Sequence, residues 1–240
     1  MAQQPSPSTP QATLTLRRFA DRAQLQAAVE ERLQQVLTGA AGDQPAVMLS
    51  GGSTPIPAYL ELATRRLSPA PGLALLFSDD RYVPSDCDQS NYHQSRALFA
   101  SLGVSEAQVL RIRTELPLAQ ATQDSEGRLG QLLQQGRRIT LGLLGLGADG
   151  HTASLFSPAD LVRAQGHLAI SVHRPDGRDA VSVTPTVLER VDQLIFVVAG
   201  ADKYTALAGL LGRQADLTAW QAVRECRSVE VWADAAALTA

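Results

Sequence analysis

Cysteine is scarce in this chain: Cys87 and Cys226 are the two present in 240 residues, with no C-x-x-C pair. That pattern excludes a disulfide scaffold and a zinc framework, and it fits a reducing compartment, so a cytoplasmic location is expected. Histidine is almost as rare. His93, His151, His167 and His173 show no H-E-x-x-H or other ligand spacing, so no metal is expected. No apolar run reaches 18 residues, which excludes a membrane-crossing helix. The opening MAQQPSPSTPQ lacks the basic and apolar regions of a signal peptide. An excess of positive charge is also missing. The formal net charge is -3, which argues against a general nucleic-acid binder. A few local Arg and Lys residues still suffice for an anionic ligand. There is no G-x-S-x-G elbow for a serine esterase and no G-K-[ST] for an ATP-binding P-loop.

What remains is an ordinary globular composition, 45% hydrophobic and 19% charged, on a chain long enough for a sizeable core. Residues 1–12 are rich in Gln, Pro and Ser and are expected to form a disordered tail. Residues 13–240 are expected to form one domain, since no repeat or linker divides them. TLTLRRF (13–19) alternates like a strand. Leu25, Val29, Leu33 and Leu37 then recur every four residues, which predicts a helix, with Asp21 as its cap. Beyond this come short apolar runs: Ala46–Leu49, Leu73–Phe77, Ile139–Leu144 and Leu194–Ala199. Such runs read as strands covered on both faces. Helices are expected over Pro57–Leu67, Asn91–Leu102, 121–135 and Asp202–Leu211. Alternating strands and helices predict an α/β fold in three layers, α/β/α, with a mostly parallel sheet.

Each apolar run ends in a polar loop: SGGSTP, SDDRYVP, GLGADGH and GADK. Ligands of open α/β sheets bind at the carboxyl ends of the strands, so the four loops are expected on one rim. In SGGSTP, Gly51 and Gly52 let N–H groups approach an anion, and Ser53 and Thr54 add hydroxyls. The alternative is a plain strand–helix turn with a Ser or Thr cap. Arg81 can grip a phosphate or carboxylate, or it can pair with Asp79 or Asp80. Lys203, at a helix start, can meet a phosphate or stay a surface lysine. Gly145, Gly147 and Gly150 match G-x-G-x-x-G, the dinucleotide fingerprint, but lie past mid-chain with no clear acidic residue about 20 positions on. The better reading is that they thin a loop which presents His151 as a base near neutral pH. Asp149, two residues earlier, is positioned to orient the ring. The bland alternative for His151 is a capping or core histidine. Cys87 has no adjacent histidine to make it a nucleophile.

Taken together, LSGGSTP (49–55), FSDDRYVP (77–84), Asp86 or Asp88 with SNY (90–92) and LGLGADGHTASLF (144–156) resemble the glucosamine-6-phosphate deaminase/6-phosphogluconolactonase family, on its lactonase side. VSVTPTVLERVDQLIFVVAGADK resembles the family's C-terminal strand–helix–strand. The resemblance implies the three-layer fold shared with glucosamine-6-phosphate deaminase and ribose-5-phosphate isomerase. It implies hydrolysis of 6-phospho-D-glucono-1,5-lactone in the oxidative pentose phosphate pathway. His151 and Asp149 would be catalytic. Arg81, Lys203 and the Gly51–Thr54 loop would hold the phosphate, and Asn91 would order the site. The N–H groups around Gly145, Gly147 and Gly150 would receive an oxyanion. The implied partner is a small phosphorylated sugar lactone, with no cofactor, metal, nucleic acid or membrane. A monomer is expected, with a weak dimer as the alternative. Three departures stand out: Asp80 where Glu is commoner, Ser157 interrupting L-F-P, and Ala180 where a basic residue often precedes the strand. Arg178 is the candidate to replace that last charge. A deaminase on the same fold would carry a Glu soon after D-G-H, which is missing here. A sugar-phosphate sensor would carry a DNA-binding segment, and the Pro/Ser tail is not one.

Overall fold

A computed structural model of the protein describes residues 12–39 and 44–239. The expected tail lies outside the described residues except for Ala12, which is buried and donates its N–H to the Arg224 carbonyl at 2.8 Å. The first half runs β1 (Thr13–Phe19), α1 (Arg22–Leu37), β2 (Ala46–Leu49), α2 (Pro55–Ala63), β3 (Ala74–Phe77), β4 (Asp79–Arg81), α3 (Asn91–Leu102), β5 (Val109–Leu110) and α4 (Leu118–Gln134). The second half runs β6 (Ile139–Leu144), α5 (Pro158–Arg163), β7 (Ala169–His173), β8 (Asp179–Val183), α6 (Pro185–Leu188), β9 (Val191–Val198), α7 (Tyr204–Leu211), α8 (Thr218–Val223) and β10 (Ser228–Asp234).

Seven strands form one sheet in the order β1-β10-β9-β6-β2-β3-β5, and every pairing in it is parallel. β2 and β3 are buried along their whole length, as central strands between two helical layers must be. Their alternate side chains serve different cores. Val47, Leu49, Leu75 and Phe77 pack with α1, α2 and α3. Ala46, Met48, Ala74 and Leu76 pack on the opposite face with α4, α6, α7 and α8. The three-layer α/β/α arrangement is therefore what the apolar runs indicate.

Local signals explain several element ends. The Asp21 carboxylate accepts the Gln24 N–H at 2.8 Å and starts α1. Ser157 caps α5 in a capping box with Asp160, so the residue that interrupts L-F-P has a structural use. Other boundaries differ from expectation. α2 begins at Pro55, using the proline as a first-turn residue, and stops at Ala63. The helix expected from 202 splits into a 3₁₀ turn, Ala201–Lys203, followed by α7. A second sheet, in the order β4-β8-β7 and antiparallel throughout, is absent from the sequence reading. It lies on the α4 side of the main sheet through Ala169, Ile170, Val172, Val181 and Val183.

Candidate active site

Four loops leave the carboxyl ends of β2, β3, β6 and β9, and they meet at one open cleft of about 300 Å³. Of the site residues named from sequence, Gly51, Gly52, Ser53, Thr54, Arg81, Asn91, Gly145, Gly147, His151 and Lys203 lie on its wall. Asp149 and Gly150 do not; they stand behind the histidine.

The β2–α2 loop is tied down from outside. Tyr59 Oη donates to the Ser50 carbonyl at 2.9 Å, and Arg22 Nη2 donates to the Ser53 carbonyl at 2.8 Å. Burial pushes the Tyr59 phenol well above its ordinary value. The N–H groups of Gly51, Gly52, Ser53 and Thr54 donate to no acceptor among the described residues. Thr54 is the N-cap residue of α2, but its side chain makes no cap bond. Gly51 must be glycine because a β-carbon there would overlap the Asn91 amide.

Arg81 makes no ion pair with Asp79 or Asp80; the structure gives those carboxylates other partners. Its Nη1 donates to the Gln89 carbonyl and to Asn91 Oδ1, each at 3.0 Å. Asn91 Nδ2 in turn donates to the Asp79 carbonyl at 2.8 Å. Asp80 sits at the start of α3 and accepts from Asn91 N–H at 2.7 Å, Tyr92 N–H at 3.0 Å and Ser90 Oγ at 3.0 Å. Burial pushes its carboxyl up to about 6, against the pull of those donors and with a smaller push from Asp79. Asp79 accepts from Ser78 Oγ at 3.0 Å and Ser154 Oγ at 2.6 Å, and it reaches the cleft wall.

His151 follows β6 in a tight loop. Its Nδ1 lies 2.5 Å from Asp149 Oδ1, and its ring packs against Phe156 at 4.3 Å between centroids with the two planes tilted by 37°. The imidazole is 26% exposed, which excludes the core-histidine reading. Gly147 has no room for a β-carbon, which would overlap both the His151 ring and the Asp149 carboxylate. Partial burial resists ionisation of Asp149, but the His151 ring bond, its charge and its N–H hold the carboxyl below the usual carboxylate range. The oxyanion assignment needs correction. The Gly147 N–H is committed to the His151 carbonyl at 2.9 Å, and the Gly150 N–H to the Gly147 carbonyl at 3.0 Å. The N–H groups of Gly145 and Leu146 have no protein acceptor among the described residues, and both residues line the cleft.

Lys203 reaches the wall from the 3₁₀ turn after β9, with its Nζ 3.1 Å from the exposed Asp202 carboxylate. Arg178 does not reach the cleft; it lies 3.6 Å from Asp176 and is 46% exposed. The residue missed by sequence reasoning is Arg174, which lines the cleft from the β7–β8 turn. Its signal was available: R-P-D-G between two alternating runs marks a hairpin turn. Cys87 is not on the wall, and burial pushes the Cys226 thiol up to about 12. Among the described residues no three His, Cys, Asp or Glu side chains gather as a metal site. No helix among them is long and apolar enough to cross a membrane.

Fold and cleft define a class: an α/β protein with a cationic, donor-rich cleft at the carboxyl edge of a parallel sheet. The chain belongs to the family of glucosamine-6-phosphate isomerases and 6-phosphogluconolactonases, whose model matches residues 20–232. It is 36% identical over 180 residues to the 6-phosphogluconolactonase of Homo sapiens, covering 70% of this chain and 69% of that one. It is 34% identical over 181 residues to the 6-phosphogluconolactonase of Synechocystis, covering 72% and 74%. The solved 6-phosphogluconolactonase of Thermotoga maritima superposes with a TM-score of 0.77 at 25% identity, covering 92% of this chain and 100% of that one. A monomeric glucosamine-6-phosphate deaminase superposes with the same TM-score, 0.77, at 15% identity, covering 94% and 100%, a likeness of fold alone.

Proposed function

We propose that the protein hydrolyses 6-phospho-D-glucono-1,5-lactone to 6-phospho-D-gluconate in the oxidative pentose phosphate pathway, with His151 as general base. One observation carries the reading. An imidazole paired with a carboxylate shares a cleft with Arg81, Lys203 and four uncommitted N–H groups. The names of the relatives point the same way.

The chemistry follows from the pairing. With Nδ1–H donating to Asp149, Nε2 keeps its lone pair and can take a proton. Water adds to C1 while Nε2 accepts its proton. The carbonyl oxygen becomes an oxyanion, received by the N–H groups of Gly145 and Leu146. The C1–O5 bond then breaks, and the imidazolium returns its proton to O5. The new carboxylic acid ionises and releases one proton to solvent. Arg81, Lys203 and the Gly51–Thr54 loop hold the phosphate, away from C1, so they fix orientation. A general base of this kind contributes about 10²–10⁴ in rate.

The test is acid release from fresh 6-phosphogluconolactone above the spontaneous rate, with wild type and His151→Ala. The variant is expected to lose about 10²–10⁴ in kcat with little change in KM. Near-normal turnover removes His151 from the chemistry. Ammonia release from glucosamine 6-phosphate is the control for the deaminase reading. No lactone turnover by wild type rejects the function.

A further inference from the structure

Arg174 enters the cleft from outside all four motif loops. It opens the β7–β8 turn, where its N–H donates to the Arg178 carbonyl at 2.8 Å and its carbonyl accepts from Gly177 at 3.0 Å. The side chain is 13% exposed, an unusual depth for a guanidinium. Nη1 donates to Ser154 Oγ at 3.0 Å, and Nε faces Asp176 Oδ2 at 3.3 Å. Nη2 donates to nothing among the described residues. The guanidinium carbon sits 5.1 Å from the centre of the Phe156 ring.

This arrangement is rigid before any ligand arrives. Ser154 cannot turn away, because its Oγ donates to the buried Asp79 carboxylate at 2.6 Å. Phe156 fixes the plane of the fork from one side. Two edges of the fork are spoken for, and the third is left for a ligand in the cleft. The charge balance of the wall also depends on this residue. Arg81, Lys203 and Arg174 are its cations and Asp79 is its carboxylate, while Asp202 and Asp176, off the wall, partly offset Lys203 and Arg174. Without Arg174 only two cations on the wall would face both Asp79 and a phosphate dianion.

We infer that Arg174 is a specificity-determining residue that binds the phosphate of the ligand, filling the role the sequence left open between Ala180 and Arg178. Ala180 is buried directly opposite Arg81 in the β4–β8 pairing, so the charge enters from the neighbouring turn instead. The inference rests on reading the cleft as a sugar-phosphate site.

The test uses the full chain with Arg174→Gln and Arg174→Lys. Inorganic phosphate is titrated by calorimetry, and KM and kcat are measured on 6-phosphogluconolactone and on unphosphorylated glucono-1,5-lactone. Loss of one charged hydrogen bond predicts phosphate binding about 10–100-fold weaker in Arg174→Gln, with a matching rise in KM for the phosphorylated lactone. The preference for phosphorylated over unphosphorylated lactone is expected to fall by the same factor. Arg174→Lys is expected to recover part of it. Unchanged phosphate affinity in both variants, with kcat down on both lactones, overturns the inference and leaves Arg174 a support for Phe156. Weaker phosphate binding in a protein without lactonase activity keeps the inference and rejects the proposed reaction.

Discussion

Asp149→Ala tests the proposed catalytic pair more sharply than loss of the histidine itself. The carboxylate makes a 2.5 Å contact with Nδ1 and accepts the His151 N–H at 3.3 Å. On the proposed mechanism it fixes which nitrogen holds the proton, and it stabilises the imidazolium that would form as water is deprotonated. A hydrogen bond to a charged group is worth about 1.5–3 kcal/mol. Asp149 is 58% exposed, so water screens the pair and partly replaces it, which brings the value down to about 1–2 kcal/mol. That corresponds to a kcat about 5–30-fold lower. KM is expected to stay within about twofold, since Asp149 is not on the cleft wall. A double variant decides whether the two residues act as one unit. Asp149→Ala adds nothing to His151→Ala if its whole effect passes through the ring. The assay is stopped-flow or pH-stat acid release, corrected for spontaneous hydrolysis. A double variant slower than His151→Ala by a further 5–30-fold, or full kcat in Asp149→Ala, refutes the reasoning.

Gly51→Ala drives a methyl group into the Asn91 amide and so loosens the anchor of Arg81. Urea unfolding is expected to lose about 1–3 kcal/mol, and KM to rise severalfold; an unchanged KM detaches Asn91 from the ligand site. Asp160 gives a pH-dependent prediction. Burial opposes its ionisation, but Arg163, Ser157 and two backbone N–H groups hold its carboxyl below the usual range. A depressed folded value stabilises the protein above the unfolded value of about 3.9, and that contribution is lost as pH falls through the folded value. Asp160→Ala is therefore expected to lower Tm at pH 7 and to have progressively less effect as pH falls below the unfolded value of about 3.9; an equal drop at pH 7 and throughout the acid range refutes the linkage. Thiol titration under native conditions is expected to count one fast cysteine, Cys87, and two after denaturation, because Cys226 is buried with its thiol pushed up to about 12. Two fast thiols in the native protein contradict the packing around Cys226.

Much of the main sheet was legible because its strands announce themselves. Ala46–Leu49 is short and wholly apolar, Ile139–Leu144 is apolar but for Thr140, and such runs bounded by glycine-rich loops have few other uses. The convergence of four loops followed from topology alone, since every main-sheet pairing is parallel and ligands collect where the strands end. The second sheet was illegible for the opposite reason. β4 is the three residues Asp79–Arg81, charged throughout, and it becomes a strand by pairing with Ala180–Ser182, a hundred residues away. No local pattern encodes that pairing. The β7–β8 turn that carries Arg174 does have a local signal in R-P-D-G, but nothing local places that turn at the cleft, because it gets there through the pairing of β8 with β4.

The glycines of the G-L-G-A-D-G-H loop are better explained by crowding than by donation. The match to a dinucleotide fingerprint and the first oxyanion assignment share one premise, that Gly147 and Gly150 keep free N–H groups for a ligand. Both N–H groups are spent in closing the loop on itself. What Gly147 supplies is the volume of a missing side chain, filled by the ring of His151 and the carboxylate of Asp149. Those two groups could not meet at 2.5 Å across a loop this short if residue 147 carried a β-carbon. The free donors lie one step earlier, at Gly145 and Leu146, where the chain leaves β6 and has not yet turned. The loop thus divides along its length: Gly145 and Leu146 line the cleft with uncommitted N–H groups, and the rest folds inward to hold the His151 ring against the Asp149 carboxylate.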